Sequence, residues 1–138
     1  MSRPMAAVFD LPRDVGSITM DCDDVEILDL NVLGGIDNLT VNNLTGTDLI
    51  TVIADLAAPG GAGDAAADTI TLNGTASADA VSLTAAAPNV TIAGLPATVQ
   101  ILQPEVATDR VIINGLGGTD IFSVGAGVTS LIGVTTNQ

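Results

Sequence analysis

Six aspartates fall in three pairs, each pair eleven residues apart: Asp37 and Asp48, Asp68 and Asp79, Asp109 and Asp120. Asp37, Asp48, Asp68, Asp79 and Asp120 each open a run of the form Asp-x-apolar-hydroxyl-apolar, as in Asp120-Ile-Phe-Ser-Val124. Short glycine-containing turns stand in front of several of them: Gly34-Gly35-Ile36, Thr45-Gly46-Thr47 and Gly117-Gly118-Thr119. A carboxylate at the point where a turn becomes a strand has two chemical uses. It can accept hydrogen bonds from turn N–H groups, as Asx turns do. It can also join turn carbonyls around Ca²⁺, a hard cation that takes six to eight oxygens. The candidate calcium ligands are therefore Asp37, Asp48, Asp79 and Asp120, with the loop Gly60, Gly61, Gly63, Asp64 and Asp68. The acidic cluster Asp21, Asp23 and Asp24 is a further candidate.

Composition narrows the chemistry from the other side. The chain of 138 residues contains no His, Lys, Trp or Tyr; its cations are Arg3, Arg13 and Arg110, and its formal net charge is −13. Without His there is no Ser-His-Asp or Cys-His arrangement, and no His-based zinc site. Without Lys there is no Schiff-base chemistry and no phosphate-loop lysine. A strongly negative chain with 1% aromatic residues is unsuited to nucleic acid, which requires cations and stacking faces. It is equally unsuited to anionic lipid surfaces. The single Cys22 cannot form an internal disulfide. No apolar run reaches the length of a membrane span, and the stretch MSRPMAAVFDLPRDVG is too weakly apolar for a secretory signal.

The acidic step is part of a longer repeat that implies the elements holding it. Residues 30–41, 41–52, 72–83 and 113–124 share the pattern apolar-Asn-x-[Leu/Thr]-x-x-x-Asp-x-apolar-[Thr/Ser]-apolar, with a weaker copy at 61–72. Between the copies lie VEIL at 25–28, NVTIAGL at 89–95, TVQIL at 98–102 and RVII at 110–113. All are rich in β-branched residues, alternate with period two and end in Gly, Pro, Asn or Asp. No segment carries a helical period. The expected fold is all-β: a parallel β-helix or β-roll-like solenoid of short rungs, with an antiparallel β-sandwich as the alternative. Residues 1–17 read as an N-terminal extension and 18–138 as a single β-repeat domain.

Alternation along a strand assigns faces. Leu39 and Val41 point inward, and the aspartates share that inward parity: Asp37 with Leu39, Asp48 with Ile50, Asp68 with Ile70, Asp79 with Val81 and Asp120 with Phe122. Thr40, Thr51, Thr71, Ser82 and Ser123 are expected to form one outward hydroxyl row. Asn31, Asn42, Asn73 and Asn114 share one repeat position, where stacked amides can hydrogen-bond from rung to rung.

Gly-Gly followed by Asp-x-apolar, in an Asp-rich and Lys-free repeat chain, resembles the hemolysin-type calcium-binding (RTX) proteins. The segments DDVEILDLNVLGGIDNLTVNNLTGTDLITV, GDAAADTITLNGTASADAVSL and DRVIINGLGGTD are similar to the degenerate repeats that precede nonapeptide arrays in very large secreted bacterial proteins. The resemblance spans roughly residues 18–124. It implies a β-roll or β-helix, calcium in the turns and an extracellular location. The nonapeptide itself, G-G-x-G-x-D-x-U-x, is not reproduced. Gly34-Gly35-Ile36-Asp37 and Gly117-Gly118-Thr119-Asp120 lack two turn residues, and Ala76-Ser77-Ala78-Asp79 has no glycine. Gly60-Gly61-Ala62-Gly63-Asp64 comes nearest, one residue short of the Asp position.

The expected function is a non-catalytic structural or spacer module of a large secreted bacterial protein, with calcium ions as the implied partner and end-to-end self-association at an open stack end. An ice-binding or adhesive hydroxyl surface is one alternative. A polysaccharide-acting enzyme fragment is another, disfavoured because Phe9 and Phe122 are the only aromatic residues available as a sugar platform.

Overall fold

The computed structural model describes residues 24–138 in full, together with the backbone of two strands before them, β1 (Ala7–Arg13) and β2 (Gly16–Cys22). The architecture is all-β. The strands that follow are β3 (Ile27–Asn31), β4 (Asn38–Val41), β5 (Thr51–Asp55), β6 (Thr69–Asn73) and β7 (Ala80–Ala86). Then come β8 (Asn89–Ala93), β9 (Thr98–Leu102), β10 (Arg110–Asn114), β11 (Ile121–Val124) and β12 (Gly133–Asn137). A short 3-10 turn, Val128–Ser130, leads into β12. The boundary expected at residue 18 falls inside β2, which pairs antiparallel with β1 in a two-stranded sheet of its own.

Two larger sheets hold the rest. One has the order β12-β10-β6-β4 and is parallel throughout. The other has the order β11-β7-β8-β9-β5-β3; its pairs are parallel except for the antiparallel neighbours of β8. From β3 onward the chain crosses from one sheet to the other at every connection, save for the meander β7-β8-β9.

The sequences of β5 (TVIAD), β6 (TITLN) and β9 (TVQIL) show why strands form here. Each alternates half-buried and buried residues, so one apolar face turns inward. Val52, Val81, Val90, Val99 and Ile101 from the six-stranded sheet meet Ile70, Leu72, Val111 and Ile113 from the four-stranded sheet in one aliphatic core. Gly94, between β8 and β9, permits the close packing of the meander: its φ is +104°, and a Cβ there would run into the carbonyl of Ala80.

Three expectations need correction. The eleven-residue step does not separate stacked neighbours. It carries the chain from one sheet to the other: Asp37, Asp68 and Asp109 precede β4, β6 and β10, whereas Asp48, Asp79 and Asp120 precede β5, β7 and β11. The hydroxyl row is therefore divided. Thr40 aligns with Thr71, and that column continues through Ile112; Thr51 aligns with Thr98, and Ser82 with Ser123. The inward parity of Asp48 with Ile50 also fails, because Leu49 is buried while Ile50 is exposed. The N–H groups of Ile50 and Thr51 both donate to the carbonyl of Glu26, at 2.8 and 3.1 Å. That doubled contact acts as a bulge and shifts the alternation by one residue.

Candidate functional site

The recurring aspartates gather into two columns at the corners between sheets. In the first, Asp37 donates its backbone N–H to Oδ1 of Asp68 at 2.8 Å, and Asp68 donates its own to Oδ1 of Asp109 at 3.1 Å. Asp109 also closes its own turn by accepting the Glu105 N–H through Oδ2 at 2.7 Å. In the second column Asp79 donates its N–H to Oδ1 of Asp120 at 2.8 Å. Asp79 accepts the Thr75 N–H through Oδ2 at 2.8 Å and the Thr75 hydroxyl through Oδ1 at 3.0 Å. Gln138 completes this column: its Oε1 accepts the Asp120 N–H at 3.1 Å, and its Nε2 donates to the Asp120 carbonyl at 3.0 Å.

The linked aspartates stand 31 or 41 residues apart in sequence. The inward parity read from the sequence holds for Asp68, Asp79 and Asp120, which are buried, and Asp109, to which no parity was assigned, is buried with them. Burying a carboxylate is costly unless polar partners receive it, and the neighbouring turn supplies them.

A third column lies in the long loops. Asp64 accepts the Gly35 N–H through Oδ2 at 2.8 Å and the Ala66 N–H through Oδ1 at 2.9 Å, and Glu105 accepts the Ala65 N–H at 2.8 Å. The 60–68 loop is thus tied to the turn on either side. Gly63 lies against the Glu105 carboxylate, which a side chain at this position would displace. The asparagine position forms a fourth column. Asn73 donates to Asn42 at 2.8 Å, Asn114 to Asn73 at 2.9 Å and Asn137 to Asn114 at 2.8 Å, all from Nδ2 to Oδ1. Asn31 closes β3 in the other sheet and stands outside this ladder.

Electrostatics single out the first column. Burial raises the Asp68 carboxyl to about 6; the Asp37 N–H works in the opposite sense, and the negative charges of Asp109, Asp64 and Asp37 raise it further. Asp37 is raised as well, by burial and then by the charge of Asp64. Among the described residues, buried Oδ2 atoms of Asp37, Asp48, Asp68 and Asp120 have no hydrogen-bond partner. Each is an oxygen suited to a proton or a cation.

The candidate ligands do not converge on one point. Asp37, Asp64 and Asp68 share a corner, and Asp79 and Asp120 share another. Asp48 joins neither, because β8 and β9 lie between β5, which it precedes, and β7, which Asp79 precedes. Gly60 and Gly61 serve the turn, with the Gly61 N–H donating to Ala58. No group of three or more His, Cys, Asp or Glu side chains placed to hold a metal ion occurs among the described residues. Asp21 and Asp23 lie outside the residues whose side chains are described, and Asp24 is exposed. Glu105, Asn137 and Gln138 escaped the pattern. Glu105 occupies a repeat-free loop, and the last two follow a shortened interval of 23 residues from Asn114 to Asn137.

An apolar cavity of about 10 Å³ near Val41, Leu44, Leu95 and Pro96 has no carboxylate in its lining. No helix is long and apolar enough to cross a membrane among the described residues. No family model, curated protein or solved structure matches the chain.

Proposed function

We propose that this chain is a non-catalytic structural module, a spacer wound as a parallel β-solenoid within a large secreted bacterial protein. The observation that carries the reading is the use made of the corner side chains. Asp37, Asp68, Asp79, Asp109 and Asp120 are joined to the turn above or below by backbone-to-carboxylate hydrogen bonds, and the asparagines by an amide ladder. Asp68, Asp79, Asp109 and Asp120 each give at least one carboxylate oxygen to a turn N–H, and this is a structural use of the side chain rather than an arrangement for acid–base work on a substrate. The resemblance to degenerate hemolysin-type repeats supports the secreted, extracellular setting. The divided hydroxyl columns weaken the ice-binding alternative, which requires one flat array.

A spacer must keep its ends apart at a fixed distance. Ile27 on β3 and Ile121 on β11 are exposed and lie on opposite edges of the six-stranded sheet. Five inter-strand steps of about 4.8 Å place those strands roughly 24 Å apart. Spin labels at Ile27→Cys and Ile121→Cys, in a Cys22→Ala background, should give one narrow distance distribution near that value plus the label arms. A broad or multimodal distribution defeats the spacer reading.

Calcium binding is a second reading, favoured by the unpartnered Oδ2 atoms of Asp37 and Asp68 in one corner. A cation there offsets the repulsion with Asp64 and Asp109. A ligand present at 100 times its dissociation constant stabilises the folded state by about 2.7 kcal/mol. Melting in 1 mM CaCl₂ against chelator, with calorimetric titration, tests this. Equal melting temperatures and no binding heat leave the carboxylates as hydrogen-bond acceptors alone.

A further inference from the structure

The end of the two sheets formed by β3 and β4 is apolar and incomplete. The inward positions Leu28, Leu30, Leu39 and Val41 are only half-buried, whereas their register partners Val52, Ala54, Ile70 and Leu72 are no more than 1% exposed. The opposite end of the four-stranded sheet differs. There Thr136 takes the inward place of Ile113 and Leu72, and Asn137 and Gln138 complete the polar columns.

The chain carries a matching apolar surface just before β3. The β1–β2 register places Ala7 opposite Cys22, Phe9 opposite Met20 and Leu11 opposite Ile18. By strand alternation these six positions share one face. The other face takes Val8 with Asp21, Asp10 with Thr19 and Pro12 with Ser17. One face of the hairpin is thus apolar except at its turn end, where Arg13 stands opposite Gly16, and the other is largely polar. A two-stranded hairpin is at best marginally stable alone and requires a surface for its apolar face. Its tether limits the choice. From Cys22 to Ile27 the chain spans at most about 18 Å, which reaches the β3 edge and falls short of β11, roughly 24 Å away.

We propose that the β1–β2 hairpin is the N-terminal cap of the stack, with its apolar face over Leu28, Leu30, Leu39 and Val41 of the same chain. Repeat arrays need atypical terminal units that close the core. The proposal rests on the described sheets and the hairpin register, and it stands whether or not the module is a spacer.

The single cysteine makes the test direct, because Cys22 occupies the apolar face of the hairpin. In the full chain its reaction with Ellman's reagent should run at least about fifty times slower than in 6 M urea. In a Cys22→Ala, Thr19→Cys variant, the thiol on the other face should react within about threefold of the unfolded rate. Phe9→Asp should speed the Cys22 reaction at least tenfold, while Ile121→Asp, at the far edge, should leave it unchanged. Equal reactivity of the two thiol positions overturns the cap, as does a Phe9→Asp variant that reacts no faster than the parent. Protection that disappears on hundredfold dilution also overturns it, since a second copy would then be the cover.

Discussion

Replacing Asp68 with Asn should stabilise this protein at neutral pH. Asp68 accepts the Asp37 N–H through Oδ1 at 2.8 Å, while its buried Oδ2 has no partner among the described residues. Its carboxyl is raised from 3.8 to about 6, chiefly by burial and further by Asp109, Asp64 and Asp37. The folded chain therefore holds the Asp68 proton more tightly than the unfolded chain. Between pH 3.8 and about 6 the folded state carries more protons, so this group's contribution to stability falls as pH rises through that window.

A shift of about two units corresponds to a ceiling of about 3 kcal/mol above pH 6. Screening of the partly exposed neighbours Asp37 and Asp64 reduces it to roughly 1–2 kcal/mol. Asn keeps the Oδ1 acceptor, removes the charge and turns an amide donor toward the surrounding carboxylates. At pH 7.5 Asp68→Asn should raise the melting temperature by about 3–8 °C, and at pH 4 the two proteins should converge. Asp68→Ala, which also removes the acceptor for the Asp37 N–H, should be less stable than the parent at pH 4. Thermal unfolding followed by circular dichroism at half-unit intervals from pH 4 to 7.5 reads all three. An Asp68→Asn variant at least 1 kcal/mol less stable than the parent at pH 7.5, with an unchanged pH slope, would refute the electrostatic argument.

Other substitutions probe the remaining columns and the meander. Asn73→Ala removes a ladder member bonded on both sides and should cost about 1–3 kcal/mol in urea unfolding, whereas Asn31→Ala, outside the ladder, should stay within about 0.5 kcal/mol of the parent. Gly94→Ala forces a Cβ against the Ala80 carbonyl at a left-handed φ and should cost at least about 2 kcal/mol, visible as a lower denaturation midpoint.

Much of this protein was legible residue by residue. Alternation in TVIAD, TITLN and TVQIL established the strands and their buried faces. The near absence of aromatics dictated a Val, Ile, Leu and Ala core. The parity of Asp68, Asp79 and Asp120 with the inward residues established that those carboxylates turn inside, where they need partners. The shared position of Asn42, Asn73 and Asn114 established that their amides align.

Which copies lie on which was a tertiary decision. Strand pairing is long-range, and the lengths of the connections set it. The 56–68 loop and the β7-β8-β9 meander stretch the spacing of bonded corners to 31 and 41 residues, so copies eleven residues apart fall in different sheets. Insertion of β8 and β9 removed Asp48 from the column that its motif suggested, and a bulge turned Ile50 outward, out of step with Asp48. Asn137 and Gln138 joined their columns through a short return that no repeat period announced. Side-chain direction is a property of the local backbone and can be read along the chain. A neighbour across a sheet is chosen by the whole winding, because each hydrogen bond between strands requires that every loop between them close.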